Sequence, residues 1–171
     1  MVEKDIIAKD LKIKHQAIFD LGELYKIMFR WFAQHNYDFQ EKEYMEKALP
    51  NDSKQLEIAW FGRRKISDYI RFHIDVKFLI IGLKSTEVEI DSIKKKLDSG
   101  SLEMRFSAYI EKDYEDKWVN PPMKFLREVY DKFIIRRRLE DYEEQIHDEV
   151  YELMNEVKAF LNLYKFQTVE T

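Results

Sequence analysis

The sequence predicts an α+β fold. It has an N-terminal strand and helix, an antiparallel β-meander that brings the sheet to about five or six strands, and a long, kinked C-terminal helical region packed on one face. Three observations carry this. Hydrophobic residues alternate with polar ones through most of the stretch from residue 11 to residue 112. Beyond Pro122 no Gly or Pro interrupts a helical period that runs to residue 164. The chain is 171 residues long and 45% hydrophobic with 12 Phe, 10 Tyr and 3 Trp, enough to fill one core, so residues 1–171 read as a single domain made of 11–112 and 121–164.

Leu11, Ile13, His15, Ala17 and Phe19 alternate with Lys12, Lys14, Gln16 and Ile18, the period of a half-buried strand. Asp20 followed by Glu23 opens a helix. Leu21, Leu24, Tyr25, Met28, Trp31 and Phe32 then recur at helical spacing to about residue 35. Residues 37–48 read as an extended edge strand ending at Pro50. Leu56, Ile58 and Trp60 form a short strand that turns at Gly62. From Ile66 the apolar phase is Ile66, Ile70, Phe72, Ile74, Val76, Phe78 and Ile80, opposite Ser67, Tyr69, Arg71, His73, Asp75 and Lys77. After Gly82 the pattern continues at Thr86, Val88 and Ile90. A turn at Asp98, Ser99 and Gly100 then leads into Leu102, Met104, Phe106, Ala108 and Ile110, opposite Glu103, Arg105, Ser107, Tyr109 and Glu111.

Asn120, Pro121 and Pro122 start the C-terminal helical region. It carries two apolar stripes, Leu126, Val129, Tyr130, Phe133 and Ile134 first, then Ile135, Leu139, Tyr142, Ile146, Val150, Leu153, Val157, Phe160 and Tyr164 on nearly the opposite side. A straight helix over 121–164 would be about 66 Å long, more than a domain's width, so a kink near Arg136 to Arg138 is expected. Charge divides in the same place. Residues 121–138 hold Lys124, Arg127, Lys132, Arg136, Arg137 and Arg138 against Glu128 and Asp131, whereas residues 139–157 hold eight acids and no Lys or Arg. A straight helix would leave the second stripe to a neighbour. A kink would let one molecule bury both stripes; if the helix is straight, an antiparallel homodimer through these helices, or a protein partner, is expected.

Composition excludes several classes. A net charge of -4 and a pI near 5.7 disfavour nucleic acid as a partner. The absence of Cys removes disulfides, thiolate metal sites and thiol nucleophiles, and sets a cytoplasmic location as the default. No signal-peptide run or transmembrane segment is present in the sequence. His15, His35, His73 and His147 are scattered without ligand spacing, and Glu144 with His147 supplies only half of a two-metal carboxylate motif, so no metal is expected. There is no phosphate loop, dinucleotide fingerprint or nucleophile elbow among four glycines, so no cofactor and no catalytic residue is assigned.

The best cluster of convertible groups lies on the polar sheet face: Tyr69, Arg71, His73 and Asp75 from one strand, Arg105 and Tyr109 from another. Cross-strand neighbours approach to about 5 Å, which would allow a ligand site, an anion site or an acid–base pair. The plainer reading is a solvated face laced by cross-strand ion pairs.

The order of strand, helix, antiparallel meander and long C-terminal helix over residues 11–164 is similar to the helix-grip order of START-like and pollen-allergen-like proteins. The likeness rests on element order alone, without diagnostic residues, and the glycine-rich loop of the pollen-allergen branch is missing. The resemblance implies a curved sheet around the last helix and a small apolar ligand between them, lined by residues such as Phe72, Ile74, Val76, Met104 and Phe106. The sequence thus leads first to a binding or interaction domain, second to a helix-grip carrier, and third to an enzyme using the polar sheet face.

Overall fold

A computed structural model describes residues 2–118 and 120–165. Five strands form one antiparallel sheet in the order β1-β5-β4-β3-β2: β1 (Glu3–Phe19), β2 (Asp38–Leu49), β3 (Ser53–Lys65), β4 (Ile70–Ile90) and β5 (Ile93–Lys112). Helix α1 (Leu21–Gln34) follows β1. Asp20 caps it, accepting from the Glu23 backbone N–H at 2.9 Å. The fold is therefore α+β, with the first strand paired to the last. Among the described residues no helix is long and apolar enough to cross a membrane.

Strand phase follows the alternation read from the sequence. Phe72, Ile74, Val76, Phe106 and Ile110 are fully buried on the face that α1 and the C-terminal helix cover. The turns differ. Gly62 lies inside β3 and does not end it. A Cβ there would sit 2.4 Å from the Phe32 ring, so glycine is what lets α1 lie close to the sheet. The hairpin between β4 and β5 turns at Asp91 and Ser92, both with positive φ (51° and 63°), as a two-residue primed turn requires. Asp98, Ser99 and Gly100 are paired strand residues: Gly100 lies where the β4–β5 ladder shifts register, near Gly82 (φ 71°). β4 thus runs through Gly82 for 21 residues, from Ile70 to Ile90.

The C-terminal region stays helical from end to end. Helix α2 (Pro121–Val129) passes through a π-helical segment (Tyr130–Ile135) into α3 (Arg136–Lys165). The expected break near Arg136 is replaced by this widened turn just before it, which changes the helix phase without ending the helix. The packing of the two stripes also corrects the sequence expectation. The second stripe is the one on the sheet, with Ile146, Val150, Leu153 and Val157 all buried. It is the first stripe that is left out: Leu126, Phe133 and Ile134 are exposed.

A buried polar node locks α3 in place. Glu149, 9% exposed, accepts from Tyr37 Oη at 2.6 Å, Arg64 Nη2 at 2.8 Å and Gln145 Nε2 at 3.0 Å. The Arg64 guanidinium lies over the Tyr37 and Phe72 rings and donates to the His35 carbonyl at 2.8 Å. Burial and the bond to Glu149 both raise the Tyr37 hydroxyl pKa.

Candidate functional site

The face of the sheet without helices carries a closed cluster of ionisable groups. Cross-strand register sets His73 beside Tyr109 and Arg71 beside Glu111. Glu111 Oε2 accepts from Arg71 Nε at 2.8 Å and Nη2 at 2.6 Å, and lies 2.7 Å from His73 Nε2. The His73 ring stacks on Tyr109 with centroids 4.5 Å apart and planes 11° apart. Lys4 from β1 sits over the other ring of the pair, 4.9 Å from the Tyr109 centroid. These neighbours leave His73 only 3% exposed, so the face expected to be solvated is sealed at its centre.

Burial sets the charge states. It pushes His73 down to about 4, against the opposing pull of Glu111. Burial alone would raise Glu111, but the hydrogen bonds from Arg71 and His73 outweigh it and hold the carboxyl below its ordinary range. With Glu111 ionised, neutral His73 donates from Nε2 and keeps its lone pair on Nδ1. That Nδ1 is buried and has no hydrogen-bond partner among the described residues. Burial also pushes Asp75, two residues along the same face, up to about 6, and its Oδ1 is likewise buried without a hydrogen-bond partner among the described residues.

The residues read from the sequence divide. Arg71, His73, Asp75 and Tyr109 come together in this cluster. Tyr69 does not: it precedes β4, packs against Trp118 and Tyr130, donates to Asp131 at 2.7 Å and accepts from Arg127 Nε at 3.1 Å. Arg105 lies further along β5, opposite Lys77, and is tied to Glu103 at 2.8 Å. Glu111, the hub of the cluster, was visible in the sequence only as a residue of the right phase. Arg63, opposite His73 on β3, makes no ion pair within 4 Å among the described residues. With Lys65, Arg71, Phe61 and Tyr114 it lines a cavity of about 510 Å³ beside the cluster. Among the described residues no group of three or more His, Asp or Glu is placed to hold a metal ion.

The second candidate is α2 with the π-helical segment, which is held to the body through Arg127, Tyr130 and Asp131. Arg127 pairs with Glu3 at 2.8 Å and reaches Asp113 at 3.7 Å, holding the helix to the end of the sheet. Met123, Phe125, Leu126, Phe133 (73% exposed) and Ile134 are exposed to solvent. Exposed Lys124, Lys132, Arg136, Arg137 and Arg138 surround these residues. Five large apolar side chains exposed on one short segment form a surface suited to being covered. On α3 the solvent side is acidic, with Glu140, Asp141, Glu144, Asp148, Glu152 and Glu156 all exposed.

Fold and site together define an α+β chain with a sealed ionic cluster on one sheet face and exposed large apolar side chains at the start of its C-terminal helical region. Comparison with family models, with curated proteins and with solved structures gives no match to this chain.

Proposed function

We propose that the chain is a binding and interaction domain without catalytic activity, and that its partner is a second copy of itself, engaged through α2 and the π-helical segment. The observation that carries this reading is the exposure of Met123, Phe125, Leu126, Phe133 and Ile134 on a segment that Arg127, Asp131 and Tyr130 hold to the body. Charge indicates the partner. The basic start of the helical region is complementary to the acidic outer side of α3, where a shallow cavity of about 620 Å³ is lined by Asp148, Tyr151, Glu152, Asn155, Glu156 and Ala159. An antiparallel arrangement would set each basic half against the twin's acidic half and repeat the contact twice.

Size-exclusion chromatography with light scattering at low micromolar concentration tests the reading. A dimer is expected that weakens with added salt, as an interface steered by opposite charges should, and that Phe133→Asp converts to a folded monomer. A wild-type monomer of 20.9 kDa would overturn it.

The carrier reading of the helix-grip likeness draws support from the strand order, in which β1 lies beside the last strand with α3 across the sheet. Packing speaks against it, since Phe72, Ile74, Val76, Met104 and Phe106 are fully buried against other side chains and leave no exposed lining for a ligand. Native mass spectrometry separates the two readings: an apolar molecule retained at one equivalent per chain would favour the carrier.

A further inference from the structure

On the flank between α1 and the edge strand β2, a cavity of about 340 Å³ is lined by Tyr25, Lys26, Phe29, Phe39, Glu41 and Trp60. Its rings stand at nearly right angles. Tyr25 and Trp60 are 4.6 Å apart at 88°, Phe39 and Trp60 4.5 Å at 80°, and Phe29 and Phe39 5.5 Å at 89°. Such rings make walls and a floor rather than a flat patch. Phe29, 54% exposed, is the outermost wall and stands on the solvent side of α1.

Glu41 supplies charge at this cavity. Its Oε2 accepts from Trp60 Nε1 at 3.0 Å and from Tyr25 Oη at 3.4 Å, and no cation pairs with it within 4 Å among the described residues. A register shift between Glu41 and Glu43 marks a bulge at Lys42, whose Nζ lies over Phe61, a β3 neighbour of Trp60 that points to the other sheet face. The bulge lets Glu41 stay on the α1 side while the next two residues leave it. Lys26, at the rim, is held by Glu23 at 2.6 Å, an exposed pair that can exchange partners at little cost.

Aromatic faces beside an uncompensated carboxylate attract a cation. A primary ammonium would also need acceptors for three N–H groups, and the cavity offers the one carboxylate. A neutral apolar ligand would cover that carboxylate and give nothing back. A quaternary ammonium group has no N–H to satisfy and presents methyl groups to the rings. We propose that this cavity binds a small quaternary ammonium compound. Its trimethylammonium head packs against Tyr25, Phe29 and Phe39 beside Glu41, over a floor in which Trp60 is buried, and an anionic group a few bonds away reaches Lys26. The site is separate from the α2 surface and stands whether or not the chain dimerises.

The test is titration of the full chain with glycine betaine, followed by NMR at the Trp60 indole N–H, which is bonded to Glu41. The control ligand is tert-butylacetate, the same shape without the positive charge. Betaine is expected to shift the indole resonance saturably, and the control to bind at least about tenfold more weakly. Phe29→Ala and Glu41→Gln, both at exposed positions and checked for folding by circular dichroism, are each expected to weaken betaine by about tenfold; the Gln amide oxygen still accepts the indole bond. Equal binding of tert-butylacetate, or no saturable shift up to tens of millimolar betaine, would overturn the proposal. So would a trimethyllysine peptide binding far more tightly than betaine, because the site would then belong to a protein partner.

Discussion

Glu111 and His73 meet across the β4–β5 ladder, Oε2 to Nε2 at 2.7 Å, on the sheet face that no helix covers, yet His73 is as buried as the core. The pair is neutral imidazole with carboxylate, and Arg71 supplies the balancing charge.

The first prediction follows from that charge state. Folding lowers His73 from 6.5 to about 4, so between those values the unfolded chain binds a proton that the folded chain refuses. Acidification through this window therefore destabilises the fold. In His73→Gln this contribution is gone, and the stability of the variant relative to wild type should rise as pH falls from 6.5 toward 4. Urea unfolding in a buffer series measures it; a constant difference would mean that His73 titrates as an exposed histidine.

Asp75 should behave in the opposite sense. Its carboxyl is raised from 3.8 to about 6, so in that window the folded chain holds a proton that the unfolded chain has released, and raising the pH destabilises the fold. Asp75→Asn should gain on wild type as pH rises to 6 and hold the gain above it. In the wild type the two slopes largely offset each other between about pH 4 and 6, and each becomes visible only when the other residue is replaced.

Gly62→Ala should cost about 1 to 3 kcal/mol, because the added methyl meets a Phe32 ring that is itself fully buried and cannot swing away. Phe32→Leu should cost less in the Gly62→Ala background than alone. Denaturant unfolding of the four-member cycle gives the coupling, and simple additivity would contradict the contact.

Glu149→Ala should cost about 3 to 5 kcal/mol, since it strands the Arg64 guanidinium and the Tyr37 hydroxyl in a buried setting. Replacing Arg64 and Glu149 together by Met should recover most of that loss. Thermal or urea unfolding decides it; a double variant as unstable as Glu149→Ala would place the stabilisation in the ion pair itself.

Phase was legible in the sequence because it is local. Phe72, Ile74, Phe106 and Ile110 announce the buried face by alternation alone, and Asp20 with Glu23 announces the start of α1. Register was not, because it depends on which turn closes the hairpin. Asp98-Ser99-Gly100 has the composition of a turn, but Asp91-Ser92 makes it, and only then does β5 lie directly beside His73 and bring in Glu111. Gly62 shows the same ambiguity: a glycine for a turn and a glycine for close packing are one letter. Tyr69 had the right parity but stands before the strand begins, where parity has no meaning. The groove at Trp60 left no sequence pattern, since Tyr25, Phe29, Phe39 and Glu41 are gathered from two elements that meet only in the fold. The packing of the two C-terminal stripes was hidden because nothing in the composition of Tyr130–Ile135 distinguishes a π turn from an α turn.

That widened turn holds about one residue more than an α-helical turn would. Loss of a single codon within 130–135 would return the segment to ordinary helix and rotate everything before it by about 100° relative to α3. The sheet contacts of Ile146, Val150 and Leu153 would be untouched, while a different set of side chains would come to face outward from α2. The outward chemistry of this helix can thus be rewritten by one deletion or insertion, at a joint whose own anchors in the core are Tyr130 and Ile135.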